Sequence, residues 1–429
     1  MKEYVKTAKE MLEFIQKSPT CFQAVANVCE RLDALGFCAL AETDSWTVEP
    51  GRGYYVTRND SSVIAFRVPE ELSKIKGFHI TASHSDSPSF KIKELNEGAV
   101  ENHYVKANVE GYGGMIYSTW LDRPLSVAGR VVVRQKEGVA TKLVNLDRDL
   151  CVIPNVAIHM NREINKGFAY NPQVDMQPLL ADCTDGKKGF LMKQIAKAAG
   201  VKREDILGHD LFLYVRDKGR LFGADSEFVL SPRLDDLQCV FAGVKAFEEG
   251  CPQEYINVCA VFDNEEVGSG TKQGADSTFL EDTLARMSEA LGKTGSEYLR
   301  LLAGSFLISA DNAHAVHPNH PEKADPNNRP YLNGGVVIKY HGSQKYTTDA
   351  VSAAKLKVLC ERAKVPYQSF VNRSDLVGGS TLGNISTAHV SVSSVDIGLP
   401  QLAMHSAVET AGVRDTEYAV ELLRAFYRE

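Results

Sequence analysis

The sequence lacks the features that mark several common protein classes. It has no apolar run close to the roughly 20 residues of a membrane-spanning helix, so we expect no membrane partner. It has no block of basic residues and its net charge is −7, which argues against a surface that binds nucleic acid. The chain does not start like a signal peptide, so we expect a cytoplasmic location.

Its cysteines also lack the spacing of a structural site. There are nine, an odd number, and no two of them form a CxxC pair. This pattern argues against a disulfide framework and against a thiolate zinc site. The chain has 429 residues with ordinary apolar and charged fractions, so two domains or one elaborated domain are expected.

The secondary-structure pattern changes twice along the chain. Residues 1–93 and 229–429 combine amphipathic helices, such as those predicted at 2–17, 18–35 and 416–428, with short apolar strands. Residues 94–228 instead carry glycines and short β-rich runs. We therefore predict a discontinuous α/β domain over 1–93 and 229–429, with a mixed central sheet flanked by helices, and an inserted β-rich domain over 94–228.

Candidate metal ligands come after four predicted strands, at 77–83, 256–262, 306–310 and 389–393. The first is followed by His84, the second by Glu265 and Glu266, the third by Asp311, and the fourth leads to His405. In open α/β sheets, ligands bind beyond the carboxyl ends of the strands. Adjacent carboxylates repel each other, so a site that keeps both usually holds a metal ion.

A further pair of carboxylates, Asp235 and Asp236, begins a predicted helix. Asp235 is a candidate ligand, whereas we expect Asp236 to be a partner of the helix dipole. Imidazole and carboxylate without thiolate suit zinc, manganese or cobalt in a catalytic site. Five ligands, one of them bridging, would give each of two metals three protein groups, and the remaining glutamate could act as a general base.

Five segments of the chain resemble the signature segments of the M18 metallopeptidases, the aspartyl aminopeptidase family. They occur in the order of the family and together cover nearly the whole chain. In this sequence they are HSDSP at 84–88, SPRLDD at 231–236, DNEEVGS at 263–269, SADNAHAVHPN at 309–319 and QLAMHS at 401–406.

This resemblance implies a zinc-peptidase fold with two zinc ions per subunit, which manganese or cobalt could replace. It also implies that a water bridging the metals attacks the peptide bond and that a glutamate takes its proton. The residues that would fill these roles are His84 and Asp311 for one metal, Glu266 and His405 for the other, Asp235 as the bridge, Glu265 as the base and Asp86 behind His84.

The resemblance further implies how substrate is bound and how subunits assemble. His159 would reach into the active site of a neighbouring subunit, Lys339 would meet an acidic substrate side chain, and His314 would face the substrate. A large homo-oligomer, a dodecamer, would admit short peptides and remove one N-terminal residue, preferentially Asp or Glu. As alternatives, His159 could pack within the β-rich domain and Lys339 could be a solvated residue of an edge strand.

Two other functions remain open at the level of sequence. A carboxypeptidase or an N-acyl amino acid deacylase could use the same dimetal core, because that core can hydrolyse any amide. A non-catalytic oligomeric scaffold could hold the metals for structural reasons. Glu265 argues against the scaffold, since a purely structural metal site needs no base.

Overall fold

The computed structural model describes residues 2–183, 189–376, 378–379 and 381–429. The chain divides into two compact units. The first comprises Met1–Asp86, Gly219–Met404 and Glu409–Glu429, and the second comprises Ser87–Lys218 and His405–Val408. The boundaries predicted from the sequence were 93/94 and 228/229, and no sequence pattern indicated that His405–Val408 belongs with the second unit.

The helices predicted at 2–17, 18–35 and 416–428 are confirmed as the first, second and last helices of the described residues. In chain order, the α-helices are α1 (Glu3–Lys17), α2 (Cys21–Ala34), α3 (Pro172–Asp175), α4 (Phe190–Ala199), α5 (Leu234–Glu248), α6 (Phe279–Ala290), α7 (Gly295–Ala303), α8 (Ala350–Ala363), α9 (Leu382–His389) and α10 (Asp415–Phe426).

The strands are distributed over three sheets. In chain order they are β1 (Cys38–Leu40), β2 (Gly53–Arg58), β3 (Ser62–Arg67), β4 (Gly77–His84), β5 (Ser89–Val100), β6 (Tyr104–Tyr112), β7 (Leu125–Arg134), β8 (Val139–Asn145), β9 (Leu179–Asp182), β10 (Ile206–Val215), β11 (Arg220–Phe222), β12 (Phe228–Ser231), β13 (Tyr255–Phe262), β14 (Phe306–Ala310), β15 (Ala313–His314), β16 (Val336–Tyr340), β17 (Tyr367–Val371), β18 (Ser393–Gly398), β19 (Pro400–Leu402) and β20 (Glu409–Gly412).

The first unit is built on a mixed nine-stranded sheet. Its strand order is β1-β2-β3-β13-β4-β14-β18-β16-β17. At its centre, β13, β4, β14 and β18 are parallel neighbours, whereas β3 pairs with β13 and β16 with β18 in antiparallel fashion. The carboxyl ends of the four central strands therefore lie at one edge. A five-stranded sheet, β11-β12-β20-β19-β15, completes the unit.

The central strands β4 and β13 are buried along almost their whole length because both faces of the sheet are covered. Every residue of β4 is buried, as are all residues of β13 after Tyr255. Alternate residues of β13 point to opposite faces: Cys259 and Val261 join one hydrophobic cluster, and Val258 and Ala260 join another. For that reason β13 is a short and mainly apolar run in the sequence.

One predicted strand, at 389–393, is wrong. His389 is the last residue of α9, and the strand of this region, β18, begins only at Ser393. Residues 389–393 alternate polar and apolar side chains, but a run of five residues is too short for periodicity alone to separate a strand from the end of a helix.

The second unit contains an antiparallel six-stranded sheet with the order β8-β7-β10-β5-β6-β9. Its separate hydrophobic core includes Phe90, Trp120 and Leu213 together with Leu191 and Ile195 of α4. Among the described residues of both units, no helix combines the length and the apolar character needed to cross a membrane.

Candidate metal centre

Three neighbouring strands of the nine-stranded sheet end in candidate metal ligands. His84 is the last residue of β4 and lies beside Phe262, the last residue of β13. After β13 the chain turns through Asn264, whose φ is 62°, into a single helical turn that carries Glu265 and Glu266. Asp311 comes directly after β14. The predicted convergence of these side chains results from the parallel pairing of the strands.

The side chains of the first unit form one compact polar cluster. His84 Nε2 lies 3.4 Å from Asp235 Oδ1 and 3.8 Å from Asp311 Oδ1. Ligand atoms of His84, Asp235, Asp236 and Asp311 all lie within 4.8 Å of one another, and the same holds for His84, Glu265 and Glu266. Asp235 and Glu266 also offer carboxylate oxygens within that distance of each other.

Asp235 and Asp236 lie at the start of α5, where the backbone is not helical. The peptide bond between them is cis, and both residues have non-helical φ and ψ angles. Asp236 is fully buried, and its Oδ2 accepts a hydrogen bond of 3.1 Å from the main-chain N–H of His84. The expectation that Asp236 serves as a helix-dipole partner is therefore wrong, because its carboxylate supports the end of β4.

Asp86 connects the histidine of the cluster to the turn that carries the glutamates. His84 Nδ1 donates to the main-chain oxygen of Asp86 at 3.1 Å, and Asp86 Oδ1 lies 3.4 Å from the same nitrogen. The two carboxylate oxygens of Asp86 accept hydrogen bonds of 3.2 Å from the main-chain N–H groups of Glu265 and Glu266. One buried carboxylate thus supports both the imidazole and the glutamate turn.

The cluster carries more acidic groups than its positive charge can balance. Burial, together with the nearby Asp311 and Asp235 and against the effect of His84, raises the pKa of Glu265 to about 7. Burial and Asp235 raise the pKa of Glu266 well above its usual range. Lys339, whose Nζ lies 3.3 Å from Asp311 Oδ2, adds one positive charge to five clustered carboxyl groups.

This donor set fits zinc. The ligand atoms are oxygens and an imidazole nitrogen, and a divalent cation would offset the mutual repulsion of the buried carboxylates. His84 is also suitably oriented: because Nδ1 donates to a carbonyl oxygen, Nε2, which points at Asp235 and Asp311, is the nitrogen that would offer its lone pair to a metal ion. The cluster can therefore hold metal.

His405 belongs to the second unit. Its Nδ1 lies 2.9 Å from the main-chain oxygen of Gly114 and donates to it, so Nε2 carries the lone pair that a metal ligand needs. Its φ is 66°, a left-handed conformation in the turn that comes after β19. These features suit a ligand, and the role of His405 stays a prediction.

The predicted substrate residues have different environments. Lys339 is buried, with 3% of its surface exposed, and pairs with Asp311, so it is not a solvated edge residue. Although burial alone would lower its pKa, the carboxylate of Asp311 raises it. His314 is exposed, with its ring 6.0 Å from that of Phe370. His159 lies in an exposed segment of the second unit. Their contacts with substrate stay predictions.

Sequence reasoning did not reveal that two buried carboxylates support this cluster. Besides Asp236, Glu409 at the start of β20 is 2% exposed, and its Oε2 accepts a 3.0 Å hydrogen bond from the main-chain N–H of Asp235. The only signal in the sequence is an acidic residue within a strand-like run four residues after His405. A charged residue is rarely buried without a partner, and the sequence does not reveal the partner.

Comparison with known proteins identifies the family. A family model described as aminopeptidase I zinc metalloprotease (M18) matches residues 14–427. The chain belongs to the M18 family. It is 48% identical, over the full length of both chains, to a probable M18 family aminopeptidase 2 of Clostridium novyi.

Solved structures show the same fold. A structure of the Ape4 and Nbr1 complex matches with a TM-score of 0.96 and 37% identity, covering 99% of this chain and 86% of that chain. The mApe1 dodecamer of S. cerevisiae matches with a TM-score of 0.85 and 28% identity, covering 99% and 97% of the two chains.

These matches confirm the predicted α/β zinc-peptidase fold class and the M18 resemblance. The protein is accordingly a zinc-dependent peptide hydrolase of the aminopeptidase type. The family disfavours the carboxypeptidase and deacylase alternatives, which act on other amides, and the non-catalytic scaffold.

Proposed function

We propose that this M18 enzyme is a two-metal aminopeptidase that removes acidic N-terminal residues from short peptides. The observation that carries the proposal is the buried cluster at the carboxyl edge of the central sheet, where Glu265 lies among more carboxylates than one metal ion requires. A purely structural zinc site would be satisfied by four ligands and would have no use for this additional glutamate.

The ligand assignment divides the cluster between two zinc ions. His84 and Asp311 would hold one ion, Glu266 and His405 would hold the other, and both ions would share Asp235. The short distances from His84 to Asp235 and Asp311 support the first set, and the proximity of Asp235 to Glu266 supports a shared carboxylate.

When bound, zinc supplies a Lewis acid that lowers the pKa of water and polarises the scissile carbonyl group. Glu265 accepts the proton of the attacking water and returns it to the leaving amine. A glutamate suits both steps if its pKa lies near the working pH, because it can then act as base and as acid. The carboxylate of Asp86 accepts hydrogen bonds from the main-chain N–H groups of Glu265 and Glu266 and so keeps the proposed base in place.

Substrate binding involves three further residues in this proposal. Lys339 meets the acidic side chain of the substrate, His314 faces the substrate, and His159 comes from a neighbouring subunit. The related mApe1 is a dodecamer, and we propose the same homo-oligomer for this chain. The exposed apolar side chains that flank His159 support its burial against a neighbour.

The test is the release of the N-terminal residue from matched peptides that begin with Glu, Asp, Leu or Lys. Turnover is measured with native enzyme, after chelation, and after zinc, manganese or cobalt is restored. We expect metal-dependent turnover that favours Glu and Asp. Peptides with blocked N-termini should not be cleaved, since an aminopeptidase requires the free amine.

The proposed base is tested by Glu265→Gln. We expect kcat to fall by about three orders of magnitude or more while the metal content measured by mass spectrometry is retained. Glu289→Gln, an exposed change on α6, is the matched control and should leave kcat unchanged. Retained turnover in Glu265→Gln would exclude the mechanism, whereas a preference for Leu would exclude only the acidic specificity.

A further inference from the structure

The first unit contains a second polar cavity at the opposite end of the central strands from the metal centre. Its volume is about 890 Å³. It is lined by Arg67 at the end of β3, by Lys74 shortly before β4 and by Cys251–Glu254 just before β13. Because β13 has eight residues, this cavity lies roughly 25 Å from the metal centre. Its side chains therefore take no direct part in peptide hydrolysis.

Arg67 is the unusual residue of this wall. Its guanidinium carbon lies over two rings, 4.9 Å from the centroid of Phe37 and 5.9 Å from that of Phe247. Nη1 donates to the main-chain oxygens of Gly250, at 2.5 Å, and Glu248, at 3.5 Å. The two aromatic rings and the hydrogen bonds of Nη1, which lie along one edge of the guanidinium group, thus hold the side chain in place.

The other edge of this guanidinium group has no acidic partner among the described residues. The main-chain oxygen of Glu248 accepts from Arg67, but the carboxylate of Glu248 is paired with Arg31 through two hydrogen bonds of 2.6 and 2.5 Å. Burial lowers the pKa of Arg67, although the charges of Cys251 and Glu248 act in the opposite direction. Nε and Nη2 remain as a planar pair of donors, the arrangement that matches a carboxylate.

The remaining charges of the cavity wall can be assigned to pairs. Arg52 pairs with Glu49, Lys74 with Glu71, Lys76 with Glu254, and Arg362 with Glu429. Among the described residues that line the cavity, Arg67 and the exposed Glu70 are the charged side chains that form no ion pair. The cavity therefore presents one unpaired cation and one unpaired anion.

We propose that this cavity binds a zwitterionic α-amino acid, with its carboxylate on Arg67 and its ammonium group on Glu70. A ligand with two or more negative charges, such as a phosphate ester, fits less well because Glu70, Glu71, Glu254 and Glu429 line the same wall. An aminopeptidase releases free α-amino acids, so its own reaction supplies ligands of this class. The site would thus sense product at a distance from the metal centre.

The test uses L-alanine as the probe and the zinc-loaded enzyme, with binding measured by isothermal titration calorimetry. Arg67→Met keeps an apolar side chain against the two rings and removes the guanidinium group. We expect it to lower the affinity for L-alanine at this site by about ten-fold or more. Its kcat/KM for a peptide should stay at the wild-type value, because the metal centre is remote.

Two further variants separate the site from general effects of charge or folding. Arg52→Met makes the same change in the same cavity at a residue that is already paired, and it should leave the affinity unchanged. Glu70→Gln is an exposed change that should not disturb folding. It should weaken binding of L-alanine several-fold and leave binding of N-acetyl-L-alanine, which lacks the ammonium group, unaltered.

The outcomes are decisive in both directions. Loss of L-alanine binding in Arg67→Met and weakening in Glu70→Gln, with Arg52→Met unchanged, would support the site. Equal L-alanine affinity in Arg67→Met and wild type would overturn it. If acetate binds as tightly as L-alanine, or if L-alaninamide fully displaces L-alanine, the proposal that the site recognises a zwitterion is excluded. Should Arg67→Met fail to fold, unchanged binding in Glu70→Gln would overturn the proposal by itself.

Discussion

At the scale of single residues, Asp86 links the histidine of the candidate metal centre to the turn that carries the two glutamates. The resemblance to M18 enzymes implied that its carboxylate orients His84. In the structure the main-chain oxygen of Asp86 accepts the proton of His84 Nδ1, while both carboxylate oxygens accept the N–H groups of Glu265 and Glu266. Asp86 is thereby a positioning residue for the proposed general base as well as for the candidate metal ligand.

This arrangement predicts the effect of Asp86→Asn. An asparagine can accept one of the two N–H groups through Oδ1, but its Nδ2 would place a donor against the other N–H. The turn should then shift, and kcat should fall about 10- to 100-fold. Steady-state kinetics with a Glu-peptide, together with metal analysis, would measure this. A lower kcat with full metal content supports the role, and wild-type kcat would contradict it.

Lys339 has a charge that is already engaged by Asp311, so its proposed contact with substrate has to be separated from that ion pair. For Lys339→Met we expect kcat/KM to fall for every peptide, because Asp311 loses a buried partner. We expect a further decrease of about 10- to 100-fold for peptides that begin with Glu or Asp, relative to Leu. Equal losses for all peptides would restrict Lys339 to supporting Asp311.

At the scale of elements, the sequence predicts the central strands and the polar residues at their ends better than it predicts the surroundings of those residues. The strand at 306–310 is confirmed residue for residue, and β4 and β13 are each one residue longer than predicted. The apolar composition of a strand and the polar residues that end it are local properties. The positions of Asp236 and Glu409 are not local, because each depends on a contact between residues more than 150 positions apart.

Strand β4 also contains a buried histidine that predicts how stability depends on pH. The ring of His79 stacks between Tyr255 and Phe426, at 3.7 and 4.2 Å, and its Nδ1 donates to the main-chain oxygen of Phe426. Burial lowers the pKa of His79 from 6.5 to about 4. Between these values the unfolded chain binds a proton that the folded chain does not, so stability falls as pH falls.

The expected loss from His79 is about 2 kcal/mol at pH 5, and it levels off below about pH 4. In His79→Gln the midpoint of denaturant unfolding should start lower but change less between pH 7 and 5 than in wild type. His103→Gln, at an exposed histidine of the second unit, should give the same pH dependence as wild type. An equally steep pH dependence in His79→Gln would show that other groups cause it.

At the scale of the whole molecule, an exposed apolar segment favours assembly into an oligomer. In the second unit, Val156, Ile158 and Met160 are 53%, 48% and 82% exposed on either side of His159. Isolated subunits would leave these side chains in water, whereas contact with another subunit would bury them. Sequence periodicity could not predict this surface, because the segment has no regular secondary structure.

The proposal that His159 acts in a neighbouring subunit predicts complementation between His159→Ala, which should have weakened activity, and Glu265→Gln, which should be nearly inactive. His159→Ala retains Glu265, and Glu265→Gln retains His159. In oligomers that combine the two at random in equal amounts, half of the sites keep the base and half of those face a neighbour with His159. Co-expression should therefore restore about one quarter of wild-type kcat, above the mean of the two separate variants. If His159 served its own subunit, no mixed oligomer would contain an intact site, and kcat would stay at that mean.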